Sequence, residues 1–352
     1  MPLLTSTGKP RVILGTMTFG PDPAAGARIT SLDTYNSVLS TFLEAGHTEL
    51  DSARNYIGGK QESWTRSAEY SKKGFSIATK CYPNTPGQHS AEKLEESFNK
   101  SLSELGTDCV DIFYLHAADR SLPFTEPLKK LDELHKKGKF VQLGLSNFTA
   151  FEVAEVVMHC KYNNWVRPTI YQGMYNAITR SLEQELIPVC RRYGIDVVIY
   201  NPIAGGIFSG KYKSADQTPD DGGRFSDAGN PKVAANYRKR YFKDATFDAL
   251  AMIEPVVQKH NLTLLETAFR WLTHHSALNI KDGGNDGVII GVSSEEQLKQ
   301  NMADLEKGPL PEEVVAVLDE AWKVCEPTTA NYWHLDLEYT YDTREALFGK
   351  GK

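Results

Sequence analysis

Short apolar runs alternate with amphipathic stretches over almost the whole chain. Eight runs rich in β-branched and aromatic residues lie at 12–17, 48–53, 75–80, 110–116, 141–147, 169–175, 196–201 and 287–291. Helical spacing of apolar residues occupies the stretches 31–45, 90–105, 126–137, 151–161, 182–192 and 295–304. Alternation of this kind is typical of β-α units arranged around a parallel sheet.

Residues that begin and end helices agree with this pattern. Ser90 stands where a helix N-cap is expected, and Gly46, Gly106, Gly138 and Gly194 stand where helices should end. Eight strand and helix repeats in a row predict an α/β fold of the (β/α)8 TIM barrel type, with residues 1–352 as one domain. A doubly wound sheet would give a similar local pattern. No G-x-G-x-x-G motif follows any of the runs, so a Rossmann domain has no local support.

Two segments interrupt the regular alternation. Residues 207–244 follow the seventh run and are rich in Gly, Asp, Lys and Arg. We expect them to form a long loop on the catalytic face that contacts cofactor and substrate. Residues 327–352 form a C-terminal extension, which we expect to lie over the substrate pocket.

Composition and charge narrow the class of protein. Hydrophobic residues make up 41% of the chain and charged residues 24%, which are values of an ordinary globular protein. The 39 basic and 45 acidic residues give a net charge of −6 without a block of like charges, which argues against nucleic acid and membrane partners. The five cysteines form no C-x-x-C pair, and neither a secretory leader nor an apolar stretch of about 18 residues occurs. We therefore expect a cytoplasmic protein without a disulfide framework.

Polar residues at strand ends are the candidates for chemistry, because the carboxyl ends of barrel strands line the active-site mouth. Asp51 ends the second run, Tyr56 follows in its loop, Lys80 ends the third run and His116 ends the fourth. Taken singly, each has an ordinary structural role as a turn cap, a solvated strand end or a hydrogen-bonded histidine. Together they form a plausible set for proton transfer to a carbonyl oxygen.

A tyrosine with a pKa of about 10 is a poor acid at neutral pH unless a cation stabilises its phenolate. Lys80 would supply that cation, Asp51 would hold the lysine charged and oriented, and a neutral His116 would donate a hydrogen bond to the substrate oxygen. We expect no metal site, since metal-ligand motifs are missing and the adjacent His274 and His275 face different directions.

Seven segments in order along the chain resemble the aldo-keto reductase superfamily: DSARNY, ATK, YLHAAD, GLSNF, YQGMYN, YNPIAGG and GVSSEEQLKQN. The pairing of AGGIFSGKY with GRF and NYRKRYF is most similar to the subgroup of aflatoxin-aldehyde and succinic semialdehyde reductases. This resemblance implies a homodimer that reduces dialdehydes, dicarbonyls or acidic and aromatic aldehydes. It also implies that hydride passes from the pro-R side of C4 of NADPH while Tyr56 protonates the oxygen, with the cofactor binding first.

The resemblance further implies a cofactor site for NADPH/NADP+ without a Rossmann motif. The matching positions are Ser146, Asn147 and Gln172 for the carboxamide, Tyr200 for stacking on the nicotinamide, Asn201, Pro202, Ile203, Gly205, Gly206, Gly210 and Lys211 along the pyrophosphate, Arg224 as a clamp, and Gly291, Ser293, Ser294, Gln297, Gln300 and Asn301 around the adenosine. The string GGIFSGKY nearly matches a phosphate-binding Walker A loop, but Tyr212 replaces the required Ser or Thr, so an NTPase is disfavoured.

The implied substrate positions are Met17, Tyr56, His116, Tyr237, Arg240 and Trp333. Arg240 would bind a substrate carboxylate. Where related mammalian enzymes carry a second arginine soon after an Asn-Tyr-aromatic sequence, this chain has His334, and it continues to Lys352. That departure weakens the case for a succinic-semialdehyde-type substrate and favours a bulkier or more aromatic pocket, to which Met17, Trp64, Tyr82 and Trp333 could contribute. A regulatory subunit similar to potassium-channel β subunits is the alternative, whereas an inactive scaffold is disfavoured because all four candidate residues are present.

Overall fold

The computed structural model describes residues 9–219, 223–280 and 284–350. Eight strands are present there: β1 (Arg11–Gly15), β2 (Glu49–Asp51), β3 (Ser76–Cys81), β4 (Val110–Leu115), β5 (Phe140–Ser146), β6 (Pro168–Met174), β7 (Asp196–Tyr200) and β8 (Gly287–Gly291). Neighbouring strands pair in parallel in chain order, and β8 pairs with β1 to close the barrel. The predicted (β/α)8 barrel is therefore confirmed. Parts of the loop at 207–244 and of the tail at 327–352 lie outside the described residues.

Twelve helices lie in the described part of the chain: α1 (Leu32–Glu44), α2 (Gln61–Ser67), α3 (Ala91–Leu105), α4 (Thr125–Lys136), α5 (Ala150–Asn163), α6 (Leu186–Tyr193), α7 (Pro231–Tyr241), α8 (Asp244–Lys259), α9 (Leu264–His274), α10 (Glu295–Glu306), α11 (Glu312–Cys325) and α12 (Thr343–Phe348). Six of them were predicted, although α6 begins four residues later than expected. The segment predicted as a loop after β7 contains α7 and a 3-10 turn at Ala204–Ser209. Within the described ranges, no helix is both long and apolar enough to span a bilayer.

Helix ends follow the sequence signals with one exception. Gly106 and Gly194 are C-caps in the left-handed region, with φ of 69° and 62°. Ser90 is the N-cap residue of α3 as predicted, but its side chain makes no capping hydrogen bond. The backbone N–H of Ala91 donates instead to Glu126 Oε1 of α4 at 3.0 Å, so a neighbouring helix satisfies this helix end.

Side chains fill the interior of the barrel. Seven buried residues form the inner cluster: Ile13, Ala78, Ile112, Tyr114, Ile170, Val198 and Ile289. Tyr114 packs so closely on β5 that a Cβ added at Gly144 would lie 2.3 Å from its ring. At the amino end of the barrel, a buried bidentate pair joins Arg11 to Glu49 at 2.7 and 2.8 Å. The barrel is thus a packed core rather than a pore.

Candidate active site

The four candidate residues meet at the carboxyl ends of β2, β3 and β4. Lys80 Nζ donates to Asp51 Oδ2 at 2.6 Å and to the Ser52 carbonyl at 2.7 Å, and it lies 3.5 Å from the Tyr56 hydroxyl. The Lys80 side chain is completely buried. These three oxygens match the three N–H donors of an ammonium group, so they replace the water that a buried lysine loses.

His116 lies beside this cluster. Its ring centroid is 6.0 Å from that of Tyr56 and 5.3 Å from that of Tyr82, with edge-to-face geometry in both cases. Its backbone N–H donates to the Cys81 carbonyl at 2.9 Å, which fixes the chain where β4 ends. Among the described residues, the buried His116 Nδ1 has no hydrogen-bond partner. A buried nitrogen without a partner is a group that a bound ligand can satisfy.

Burial controls the protonation of these groups. It lowers the pKa of His116 well below its usual value, and the nearby Lys80 charge lowers it further, so the imidazole is neutral as predicted. Burial also lowers the pKa of Lys80, while the Asp51 carboxylate opposes that shift.

Burial, followed by the Asp51 charge, raises the pKa of the Tyr56 phenol well above its usual value. Lys80 makes its shortest contacts with Asp51 and Ser52. The phenol therefore carries its proton at neutral pH.

A strained turn holds Tyr56 in place. Ile57, the next residue, is buried and lies in the left-handed region with φ 49° and ψ 49°, which is unusual for a β-branched side chain. The Arg54 guanidinium donates to the Gly59 carbonyl and forms an ion pair with Glu62, whose side chain is fully buried. Backbone strain of this kind persists only where surrounding contacts enforce it. Arg54, which precedes the turn, thus fixes it through contacts with two residues that follow Ile57.

The residues predicted to hold a carboxamide lie next to the cluster. Ser146 ends β5, and Asn147 follows it with φ 56°. Asn147 Nδ2 donates to the His116 carbonyl at 2.8 Å and to Ser146 Oγ at 3.0 Å. Gln172 of β6 donates through Nε2 to Asp51 Oδ1 at 2.8 Å. Gln172 therefore orients the Asp51 carboxylate from across the barrel, a contact that sequence reasoning missed.

Tyr200 ends β7, and its hydroxyl donates to Asn147 Oδ1 at 2.8 Å. The positions predicted to follow the pyrophosphate come directly after it: Asn201, Pro202, Ile203, Gly205, Gly206, Gly210 and Lys211. Asn201 Oδ1 accepts from the Tyr237 hydroxyl at 3.0 Å, which ties this segment to α7. Gly205 has φ 68°, and a Cβ there would lie 2.7 Å from the Tyr237 ring. Gly206 has φ 110° with open space around it. Both glycines adopt a backbone conformation that would strain any other residue, and at Gly205 a side chain would also clash.

The predicted adenosine positions cluster where β8 leads into α10. Gly291 ends β8, Ser294 is the N-cap of α10, and Gln297, Gln300 and Asn301 lie on that helix. Ser293 donates through its backbone N–H and its hydroxyl to Gln297 Oε1 at 2.9 and 3.0 Å. Hydroxyl and amide groups are thus gathered at a helix N-terminus, where an anion is favoured.

Two guanidinium groups face the Tyr237 ring without a carboxylate partner among the described residues. Arg224 lies 5.5 Å and Arg240 5.6 Å from the ring centroid. Arg240 Nη2 lies 2.9 Å from His334 Nε2 in the C-terminal tail. Cations that lack acidic partners at the mouth of a barrel favour an anionic ligand.

The remaining predicted substrate positions divide into two groups. Met17 is half-buried in the turn after β1, at the mouth. The contacts described for Trp333 lie away from the four-residue cluster: its ring meets Tyr332, and it lines a groove of about 360 Å³ beside Ser181 and Glu185.

His334, noted in the sequence only as a departure from related enzymes, lies at the site. Its ring centroid is 6.0 Å from that of Tyr82. The one sequence signal for it was its place directly after Asn331-Tyr332-Trp333.

The described residues contain no cluster of three or more His, Cys, Asp or Glu side chains able to hold a metal ion. His274 Nε2 contacts the Lys307 carbonyl at 2.6 Å, and His275 Nε2 accepts from the Leu310 N–H at 2.9 Å. These two histidines therefore have structural partners of their own.

A closed parallel barrel with a phenol, an ammonium, a carboxylate and an imidazole at its carboxyl end defines a barrel enzyme equipped for proton transfer. A model of the Aldo/keto reductase family matches residues 11–323. The chain belongs to the aldo/keto reductase family.

Individual relatives agree with this assignment. Aflatoxin B1 aldehyde reductase member 2 of Mus musculus is 41% identical over 340 residues, which cover 92% of this chain and 88% of that protein. Aflatoxin B1 aldehyde reductase member 4 of Homo sapiens is 39% identical over 341 residues, covering 93% and 98%. Aldo-keto reductase pigE of Monascus ruber is 34% identical over 337 residues, covering 92% and 97%. The predicted resemblance is confirmed, and the protein is an oxidoreductase of aldehydes or ketones in a family that uses nicotinamide cofactors.

Proposed function

We propose that this protein is an NADPH-dependent reductase of aldehydes and ketones in which Tyr56 is the proton donor. The observation that carries the proposal is the chain of contacts from Tyr56 through Lys80 to Asp51. It places an acid next to a buried cation at the point of the barrel where substrates of this fold react.

Each side chain has a defined part in the proton transfer. Tyr56 holds its proton until the substrate oxygen becomes basic, and it then donates that proton to the oxygen. The Lys80 ammonium, 3.5 Å away, stabilises the phenolate that this step leaves behind, and Asp51 keeps the ammonium charged. The neutral His116 donates a hydrogen bond to the same oxygen as negative charge develops on it. The bound nicotinamide cofactor supplies the hydride.

The residues present fit a dinucleotide. Ser146 and Asn147 offer polar groups beside the cluster, and the Tyr200 ring is available for stacking. Gly206 and Gly291 leave open space where a side chain would stand, and Arg224 has no carboxylate partner among the described residues. A guanidinium beside glycines that permit close backbone approach favours phosphate. We infer NADPH rather than NADH because the Arg224 guanidinium, which has no carboxylate partner among the described residues, can pair with a 2′-phosphate.

Arg240, which has no carboxylate partner among the described residues, favours a carbonyl compound that carries a carboxylate. Acidic aldehydes such as succinic semialdehyde are the first class to test, with dicarbonyls and uncharged aromatic aldehydes as the comparison. Two relatives are named for an aldehyde derived from aflatoxin B1, which supports activity on bulky aldehydes as well.

The variant Tyr56→Phe tests the proposal. We expect it to bind NADPH with unchanged affinity, measured by quenching of tryptophan fluorescence. Its turnover, followed as loss of NADPH absorbance, should fall by orders of magnitude, since general acid catalysis typically supplies about 10²–10⁴-fold. Tyr162→Phe removes the same hydroxyl from a side chain that is 78% exposed and is the matched control. Equal turnover in Tyr56→Phe would remove the assignment. Tight NADPH binding by the wild type without turnover of any carbonyl would favour a regulatory subunit.

A further inference from the structure

The C-terminal tail is anchored by a buried ion pair that is separate from the Lys80 cluster. Arg120 follows β4 and Glu152 lies in the first turn of α5. Arg120 Nε and Nη2 donate to the two oxygens of Glu152 at 2.7 and 3.0 Å. Their side chains are 3% and 0% exposed. A bidentate pair so deeply buried has a fixed geometry.

The tail is attached directly to this pair. Arg120 Nη1 donates to the His334 carbonyl at 2.8 Å and to the Asp336 carbonyl at 3.2 Å. The Tyr339 hydroxyl donates to Glu152 Oε1 at 2.7 Å. We call Arg120, Glu152 and Tyr339 the tail latch. It holds the tail, from His334 to Tyr339, to the body of the barrel.

From this anchored backbone the His334 side chain reaches the substrate side of the mouth. Its backbone N–H donates to the Asn147 carbonyl at 3.2 Å. Its Nε2 lies 2.9 Å from Arg240 Nη2 and 3.3 Å from the Tyr200 hydroxyl. A guanidinium can only donate, so Nε2 accepts from Arg240 and the ring is neutral. Burial and the Arg240 charge lower the pKa of His334 to about 3, in agreement with that geometry.

We propose that His334 is a specificity-determining residue, and that the tail latch is the device that positions it. His334 holds the Arg240 guanidinium in the pocket until the carboxylate of an acidic substrate takes its place. A carboxylate is a stronger partner for arginine than a neutral imidazole, so the exchange favours binding. An uncharged substrate does not displace His334 from Arg240, so Arg240 adds nothing to its binding free energy. This inference rests on the proposed reductase function and deepens it.

The arrangement matters because a free arginine side chain loses rotamer freedom when it becomes ordered. An arginine that is already held at the pocket has lost most of this freedom before the substrate binds, so less binding free energy is lost to ordering it. Loss of His334 therefore weakens the binding of acidic substrates even though His334 competes for the same guanidinium.

The experiment compares two substrates of similar size, 4-carboxybenzaldehyde and uncharged 4-formylbenzamide. For His334→Ala, we expect KM for the acid to rise about tenfold relative to KM for the amide. His334→Gln retains an acceptor within reach of Arg240 and should restore most of the ratio. His159→Gln, at a histidine on the outer helix α5, is the matched control. An unchanged or lower ratio in His334→Ala would overturn the proposal.

The latch is tested by Tyr339→Phe and by a chain that ends at Asp336, with Tyr162→Phe as the control for the lost hydroxyl. We expect both to shift the KM ratio in the same direction as His334→Ala. Combining Tyr339→Phe with His334→Ala should add no further shift, because both changes act through one side chain. Additive shifts in the KM ratio would show that the tail latch does not act through His334. Wild-type turnover of the uncharged amide tests the reductase function alone, so failure of that function is distinguishable from failure of this inference.

Discussion

Removal of the Lys80 ammonium is the most informative perturbation of the site. In Lys80→Met, of the side-chain hydrogen bonds described for the buried Asp51 carboxylate, the one from Gln172 at 2.8 Å remains. Breaking a buried ion pair by removing one partner typically costs about 3–5 kcal/mol, because the other charge is left uncompensated. We expect the lower half of that range, since Gln172 still satisfies one carboxylate oxygen.

The double variant Lys80→Met with Asp51→Asn removes both charges and keeps an acceptor for Gln172. Replacing a whole buried pair by neutral groups is often nearly neutral for stability. We therefore expect the double variant to recover more than half of the stability lost in the single variant. Both variants should lack reductase activity, because neither contains the cation that stabilises a phenolate at Tyr56.

Urea unfolding followed by tryptophan fluorescence gives the stability change, provided that the slope m stays constant. Lys323→Met is the matched control, because Lys323 is 65% exposed and pairs with Glu320 at 2.7 Å on the outside of α11. Such surface pairs contribute about 0–1 kcal/mol. A single Lys80→Met variant that loses less than about 1 kcal/mol, or a double variant no more stable than the single one, would refute this reasoning.

Two further predictions concern stability. His89 is buried, its Nε2 contacts the Cys81 carbonyl at 3.1 Å, and burial lowers its pKa from 6.5 to about 4. As the pH falls, the unfolded state therefore takes up a proton at His89 at a higher pH than the folded state does. The free energy of unfolding is unaffected by His89 above pH 6.5 and falls by up to about 3 kcal/mol as the pH drops towards 4. Urea midpoints at pH 7 and pH 4.5 should differ less in His89→Gln than in the wild type, and equal differences would contradict the prediction. Gly205→Ala should cost about 1–3 kcal/mol, because its Cβ would meet Tyr237 at 2.7 Å in addition to the backbone strain at φ 68°. Gly194→Ala is the control for backbone strain alone, because Gly194 has φ 62° and no atom would lie closer than 3.9 Å to the added Cβ. An equal loss of thermal stability in both variants would disprove the clash with Tyr237.

Local sequence patterns were sufficient to predict the strands. The predicted runs agree with the eight strands to within two residues at each end, because strand periodicity and turn residues are local properties of the chain. The four-residue cluster was also predictable, since the carboxyl ends of parallel strands converge in a barrel. Helix α7 was missed because it lies within the segment 207–244, which is rich in Gly, Asp, Lys and Arg.

Only the tertiary structure decided how distant residues meet. Gln172 and Asp51 are 121 positions apart and share a hydrogen bond because β6 and β2 face each other across the barrel. Within the tail, the anchored backbone brings His334 Nε2 to 2.9 Å from Arg240 Nη2, a contact between residues 94 positions apart.

The pKa of Tyr56 was likewise beyond the sequence. Burial, which residue types do not reveal, raises that pKa well above its usual value, and Lys80 makes its shortest contacts with Asp51 and Ser52. The amino-acid sequence by itself determined the barrel, the family and the candidate residues for the reaction. The distances, the desolvation and the position of the tail depend on contacts between remote segments, which no local pattern specifies.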